Sequence, residues 1–164
     1  MSQGIPLTDA DRWDWLVTLR EEALRRLRKT DVVFVTCSAL KRKYRDVIRV
    51  ANYRHATVQV HYIFLRVDES ELQERVKNRV GHYMKADMVH SQMLALEEPD
   101  ERSETDVIKI DTHVGKEETK RTAETGVRQK LADYEKVLAK RQVQQSQFST
   151  NSNGAVNGAE CINN

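Results

Sequence analysis

The chain has 164 residues, of which 39% are hydrophobic and 32% are charged, so it is long enough for one domain with a modest core and a very polar surface. Its 27 basic residues nearly balance its 25 acidic ones, which argues against a general nucleic-acid binder. We expect a cytoplasmic protein, because no apolar run could span a bilayer, the first residues do not resemble a signal peptide, and the two cysteines fit neither a disulfide framework nor a zinc motif.

The first half of the chain alternates helical and extended patterns. Thr8 has the position of an N-cap and opens a helix that runs to about Lys29. A continuous apolar run at residues 32–35 predicts a strand covered on both faces. A second helix is predicted over residues 40–50 and a second strand over residues 58–67. Asp68 and Glu71 then have the spacing of a capping box and open a third helix.

The second half continues this alternation and ends in a polar tail. We predict a helix over residues 85–96, a short strand over 107–110 and a long polar helix over 117–141. From Gln142 the sequence turns to Gln, Ser, Asn and Gly, which predicts a disordered tail over 142–164. Three strands that alternate with helices predict an α/β fold with a parallel sheet and right-handed crossovers.

A dense run of cations follows the first predicted strand. In open α/β sheets, ligands bind beyond the carboxyl ends of the strands, so cations placed there indicate an anionic ligand. The alternative is a helix that turns a basic face to water. The cations of this run are Lys41, Arg42, Lys43, Arg45 and Arg49.

A second basic site lies on the third predicted helix. Arg75 and Arg79 are four residues apart, so both guanidinium groups can lie on one helix face. A glycine-bearing segment follows them, which is how small phosphoryl-transfer enzymes build a mobile lid. The alternative is a solvated helix whose arginines pair with Glu71 or Glu74. His82 lacks the spacing of a metal-binding motif, and no metal ligand is predicted.

Several segments, in order along the chain, carry a family resemblance. They are GIPLTDADRWDWL at residues 4–16, CSALKRKYRDVIR at 37–49, RVGHYMKADMVHSQMLALEEP at 79–99 and TDVIKID at 105–111. Together they resemble gluconokinase, the kinase that phosphorylates gluconate with ATP. The resemblance covers about residues 2–138. It implies a P-loop kinase fold, with a kinase domain over residues 1–141 and a lid over about 79–96.

The resemblance also implies roles for individual residues. The family transfers the γ-phosphate of ATP to the 6-hydroxyl of gluconate, with Mg²⁺. Arg45 becomes the candidate ligand of the gluconate carboxylate. Arg75 and Arg79 become the catalytic and ATP-binding arginines of the lid. The other positions that the resemblance implies at the substrate are Lys41, Tyr44, Arg49, His82 and Gln92.

The sequence departs from the family pattern near its start. The 164 residues contain no phosphate-binding loop of the form G-x-x-x-x-G-K-S/T, nor the acidic segment that supplies a carboxylate near the substrate hydroxyl. Met1 falls where the family has a methionine before its G-x-P-L segment. The chain therefore resembles a gluconokinase that begins at this internal methionine, without its first strand, phosphate loop, helix and second strand.

The missing strand has a predicted physical cost. In the family fold this strand is central in the sheet, so its neighbours would face a gap of roughly 10 Å, two strand spacings. Their unpaired backbone groups must then close up, bind water or find another chain. We predict that this polypeptide is poorly stable and that its kinase rate is low.

Two functions are left open by the sequence. The first is an ATP-dependent gluconokinase with low expected activity in this form. The second is a non-catalytic remnant or isoform that binds a sugar acid or a partner subunit through Lys41, Arg45 and Arg49. The expected partner is the small molecule gluconate. The assembly that we consider for the chain is a homodimer. Neither nucleic acid nor a membrane is expected, since the net charge is near zero and aromatics do not alternate with the cations.

Overall fold

The computed structural model describes residues 8–78 and 86–153, with side chains for 8–78 and 88–144. The chain divides into two compact units, Met1–Lys116 and Glu117–Asn164. In chain order the elements are α1 (Asp9–Leu27), α2 (Arg42–Arg54), β1 (Tyr62–Arg66), α3 (Glu69–Lys77), α4 (Ala86–Ala95), β2 (Val107–Asp111) and α5 (Lys116–Asn153).

Helix α1 begins where the sequence predicted. The Thr8 hydroxyl accepts a hydrogen bond from the backbone N–H of Asp11 at 3.3 Å, and the Asp11 carboxylate accepts from the backbone N–H of Thr8 at 2.8 Å. This reciprocal pair is a capping box, which satisfies two backbone donors at the helix start. Further along α1, Leu16 is buried against Tyr44 and Val47 of α2. The contact fixes α1 beside α2.

Strands β1 and β2 pair in parallel, as the alternation of helices and strands predicted. Tyr62 lies opposite Val107, and the register continues to Arg66 opposite Asp111. Val107 and Ile110 are buried. The chain between the two strands carries α3 and α4, which is the long crossover that a parallel pair requires.

The prediction of a buried strand at residues 32–35 is wrong for this structure. The segment has no strand assignment, and Phe34 is 74% exposed, with Val35 at 44% and Val32 at 37%. Among the described residues, β1 and β2 pair only with each other, so no strand lies beside this segment to hydrogen-bond with its backbone. An apolar run becomes a covered strand only when such a neighbour is present.

The other element boundaries differ in smaller ways. Helix α2 extends to Arg54, four residues past the predicted end at 50, and β1 is shorter than the predicted strand. Asp68 is the N-cap of α3, as predicted, but its side chain makes no capping hydrogen bond. The Asp68 carboxylate instead lies 3.1 Å from Nε2 of His113.

The second unit contains most of α5. This helix runs to Asn153, beyond the predicted end at Arg141. Residues 142–153 contain neither Gly nor Pro, and glutamine is a good helix former, so the polar composition that suggested disorder also permits a helix. The remaining tail, 154–164, lies outside the described residues. Within the part of the chain that the structure describes, no helix is both long and apolar enough to cross a membrane.

Candidate functional site

Two cavities in the unit Met1–Lys116 lie where α1, α2 and α4 meet. The first has a volume of about 260 Å³ and the second of about 300 Å³. They adjoin, because Arg12, Leu40, Tyr44 and Gln92 line both of them. The polar residues that line only one of the two are Thr8, Asp9, Lys41 and Ser91 for the first, and Cys37 and Ser38 for the second.

Asp9 organises the cationic wall of the first cavity. Its carboxylate accepts hydrogen bonds from Lys43, from the Tyr44 hydroxyl and from the Lys41 ammonium, the last at 3.0 Å. These bonds hold the pKa of Asp9 well below its usual range, and the bond to Asp9 raises the pKa of Lys41. Because so weak a base is poorly suited to accept a proton, Asp9 serves here to position Lys41 and Tyr44.

The Tyr44 ring is the centre of this wall. It is 2% exposed, and three cations lie over it, with Arg12 Cζ at 5.7 Å, Lys41 Nζ at 5.8 Å and Lys43 Nζ at 6.0 Å from the ring centroid. Cations at such distances are attracted by the negative face of an aromatic ring. The wall is therefore positive, and its cations are held close together.

Arg45, the predicted ligand of the substrate carboxylate, lines neither cavity. Its guanidinium binds Glu104 through two parallel hydrogen bonds of 2.8 and 2.7 Å, and the paired side chains are each 4% exposed. The hydrogen bonds from Arg45, together with those from Arg49, lower the pKa of Glu104 to about 2. This guanidinium is already occupied by a carboxylate of the protein itself. In this structure Arg45 therefore joins α2 to the segment that carries Glu104.

Arg45 also holds the turn that leads into α2. Its Nη1 donates to the carbonyl oxygen of Ala39 at 3.1 Å. Ala39 has a φ of +37°, a left-handed conformation that costs a non-glycine residue about 1 kcal/mol or more. The turn precedes Lys41, the N-cap of α2. Arg45 thus stabilises a strained backbone that places Lys41 at the cavity.

Arg49 belongs to the same ion network as Arg45. It donates to Glu104, Asp106 and Asp46 at 2.7 to 2.8 Å. Burial lowers the pKa of Arg49, but the hydrogen bonds to Asp106 and Glu104 outweigh burial and raise it above its ordinary value. Two predicted substrate residues therefore join α2 to the segment before β2. The sequence analysis did not identify Glu104 or Asp106 as partners of these arginines, because it assigned only a short strand, at 107–110, to this part of the chain.

Arg75 lies apart from the cavity residues, beside the carboxyl end of β2. It pairs with Glu71, and its Nη2 is 3.4 Å from both the carbonyl and the hydroxyl oxygen of Thr112. The pairing with Glu71 is the alternative that the sequence left open. The location beyond a parallel strand is nonetheless where ligands bind in α/β folds. Arg79 and His82 lie outside the described residues.

The structure brings three of the predicted substrate residues, Lys41, Tyr44 and Gln92, to one cavity wall. It adds Asp9 and Arg12, which the sequence analysis did not place in a site. The signal for both lay in the segment at residues 4–16, which was quoted for the resemblance. Asp9 was overlooked because an acid in the first turn of a helix already has a sufficient explanation there.

The chain is similar in sequence to two fungal proteins. It is 45% identical over 108 residues to a "Probable gluconokinase" of Saccharomyces cerevisiae, across 65% of this chain and 54% of that protein. It is 44% identical over 121 residues to a "Probable gluconokinase" of Schizosaccharomyces pombe, across 73% of this chain and 62% of that protein. The chain thus spans little more than half the length of these relatives. No protein-family model matches it.

A solved structure matches most of the length of this chain. The crystal structure of a gluconokinase from Sinorhizobium meliloti 1021 is 36% identical, has a TM-score of 0.61, and is matched over 88% of this chain and 73% of that chain. The chain belongs to the gluconokinase family. The α/β fold of the P-loop kinase type, expected from the resemblance, is thereby confirmed. Family membership therefore bears on which ligand the cavity beside Lys41 and Tyr44 could hold.

Proposed function

We propose that this chain binds gluconate in the cavities lined by Lys41, Tyr44 and Gln92, as part of an ATP-dependent gluconokinase that forms 6-phosphogluconate. Family membership supports the reaction class. The observation that carries the proposal is the cavity itself, where Lys41 and Tyr44 of the α2 region and Gln92 of α4 share one wall. Such a wall suits a hydroxylated anion, since Lys41 supplies charge while Ser91 and Gln92 offer polar groups to hydroxyls.

The 164 residues carry fewer of the groups that would bind the phosphate donor, ATP, than of those that would bind gluconate. When bound, ATP supplies the phosphoryl group, and Mg²⁺ neutralises the charge that develops on it. The loop whose amides, lysine and hydroxyl hold these groups is not in the 164 residues. Arg75 is the described residue of the predicted ATP site, and it is paired with Glu71. These residues do not form an ATP and Mg²⁺ site, so we derive no transfer step from them.

A second candidate function is the binding of a sugar acid, or of a partner subunit, without catalysis. The pairing of Arg75 with Glu71 favours it, because the described arginine of the predicted ATP site is already held by an acid of the chain. Where the second candidate binds a sugar acid, it uses the same cavities as the first. Both also include a cytoplasmic location, and a homodimer is compatible with either.

One experiment separates the two candidates. Gluconate is titrated calorimetrically into the full chain with and without ATP and Mg²⁺, and ADP release is followed in a coupled assay with the S. meliloti enzyme as reference. We expect gluconate to bind. We expect turnover at least about 100-fold below the reference, because losing even one donor that stabilises a transition state costs that much.

The outcomes of this experiment are distinct. A gluconate-dependent rate close to that of the reference would favour the kinase and contradict the expected loss. Binding without turnover would favour the second candidate. A folded chain that does not bind gluconate would reject gluconate as the ligand in both.

A further inference from the structure

Arg12 is a cation of the cavities that differs from its neighbours in having no anionic partner among the described residues. It lies on α1, is partly buried, and lines both cavities. Its guanidinium carbon lies over the Tyr44 ring, 5.7 Å from the ring centroid. Within the described part of the chain it makes no ion pair or side-chain hydrogen bond.

The other cations of the site are already engaged in ion pairs with acids of the protein. Lys41 and Lys43 share the carboxylate of Asp9. The two arginines of α2 that the sequence placed at the substrate are held by acids of the segment before β2, with Arg45 on Glu104 and Arg49 on Glu104 and Asp106. Among the residues that the structure describes, Arg12 is therefore the guanidinium at the cavities that no acid of the protein occupies.

The surroundings of Arg12 suit carboxylate recognition. A guanidinium presents a planar fork that binds both oxygens of a carboxylate, and such charge-assisted pairs are strong. The Tyr44 ring beneath it supports the guanidinium without using its donors. Lys41 and Gln92 line the same cavity and are available to the hydroxyl groups of a ligand whose carboxylate lies at Arg12.

We propose that Arg12 binds the carboxylate of the sugar acid and thereby selects acids over neutral polyols of the same carbon chain. The inference rests on the proposed function, and it assigns to Arg12 the task that the sequence suggested for Arg45. Sorbitol is the discriminating ligand, because it carries a CH₂OH group where gluconate carries its carboxylate. The site should bind gluconate and discriminate strongly against sorbitol.

The test compares Arg12 of α1 with the arginine that follows the last residue of this helix, in the full chain. Arg28, the C-cap of α1, is exposed and lines neither cavity, so Arg28→Gln is a matched control for the loss of one positive charge. We expect Arg12→Gln to weaken gluconate binding at least about tenfold and to remove the preference over sorbitol, while Arg28→Gln changes affinity less than about twofold. Arg12→Lys should lie between, since it keeps the charge without the fork.

Each outcome decides between the inference and the proposed function. If Arg12→Gln keeps gluconate affinity and the preference over sorbitol, the inference is overturned and the proposed function stands. If the unmodified chain binds a different sugar acid, such as glucuronate, and Arg12→Gln loses that binding, gluconate is the wrong ligand while the role of Arg12 stands. A folded chain that binds no sugar acid overturns both.

A second measurement needs no variant and covers the case in which Arg12→Gln fails to fold. Phenylglyoxal modifies accessible arginines, and peptide mass spectrometry reports the extent at each one. We expect gluconate to protect Arg12, sorbitol to leave it reactive, and Arg28 to react equally with either ligand. Equal modification of Arg12 with and without saturating gluconate would overturn the inference.

Discussion

Glu104 is the residue on which the basic face of α2 converges. Its carboxylate oxygens accept from Arg45 and from Arg49, and it is 4% exposed. A buried arginine that loses its carboxylate becomes an unpaired charge in a poorly solvated place, so the three residues act as one unit. Because Lys41 and Tyr44 lie at the start of the same helix, this unit also fixes the cavity wall.

We expect Glu104→Gln to lower the free energy of unfolding by about 3 kcal/mol, since removing one partner of a buried ion pair leaves the other uncompensated. Asp46→Asn is the matched control, because Asp46 also binds Arg49 but its side chain is 56% exposed; it should cost less than about 1 kcal/mol. Urea denaturation of both variants measures the difference. Equal costs would mean that the burial of Glu104 contributes nothing to the pair.

Glu104 also predicts how stability depends on pH. Hydrogen bonds from Arg45, and then from Arg49, lower its pKa to about 2 in the folded chain, from an ordinary value of 4.5. The group therefore stabilises the fold above pH 4.5, and this contribution falls as the pH drops toward 2. We expect the difference in unfolding free energy between the unmodified chain and Glu104→Gln to shrink over that window. A difference that stays constant from pH 5 to pH 2 would contradict the shift.

Helix α2 links the candidate site to the sheet. Its first residues reach the cavities, and its arginines reach the segment before β2. On the β1 side, the Tyr62 hydroxyl donates to the Arg45 carbonyl at 2.7 Å, and burial raises the pKa of Tyr62. The helix is therefore held from two directions, which keeps Lys41 and Tyr44 in place relative to the strands.

The segment at residues 32–35 offers a test of the element that the sequence predicted and the structure lacks. Phe34→Ser should change the free energy of unfolding by no more than about 0.5 kcal/mol, because Phe34 is 74% exposed. Ile110→Ala, at a buried position of β2, should cost about 2 to 5 kcal/mol. Both are measured by urea denaturation. A cost for Phe34→Ser as large as for Ile110→Ala would show that the segment is covered, as its apolar pattern predicted.

At the scale of the whole chain, the described residues form a core that is small for the length of the sequence. Among residues 8–78 and 88–144, the buried apolar side chains are eight hydrophobic ones and Pro99, whereas Phe34, Tyr53, Leu65 and Leu94 are each more than half exposed. Burial of apolar surface is the main favourable term in folding. A chain of this length with so few buried apolar residues should therefore be marginal.

We expect a free energy of unfolding below about 5 kcal/mol, the low end of the range for natural domains. Urea titration followed by circular dichroism gives this value. Binding of an apolar fluorescent dye at low denaturant should accompany it, because large apolar side chains are accessible. A free energy above about 10 kcal/mol, with no dye binding, would contradict the small core described above.

By itself the sequence determined what depends on near neighbours along the chain. The capping box at Thr8, the long helices and the parallel order of β1 and β2 follow from caps, periodicity and alternation, which act over a few residues. The resemblance placed Lys41, Tyr44 and Gln92 at one site, and they do line one cavity.

The tertiary structure alone decided which cations are left to bind an anion. Arg45 looked free because its partner, Glu104, lies 59 residues away, and no local pattern reports a contact at that distance. The exposure of residues 32–35 has the same cause, since a strand requires a neighbour that its own residues do not specify. Arg12 became the candidate for carboxylate binding only once the partners of every other cation in the cavities were known.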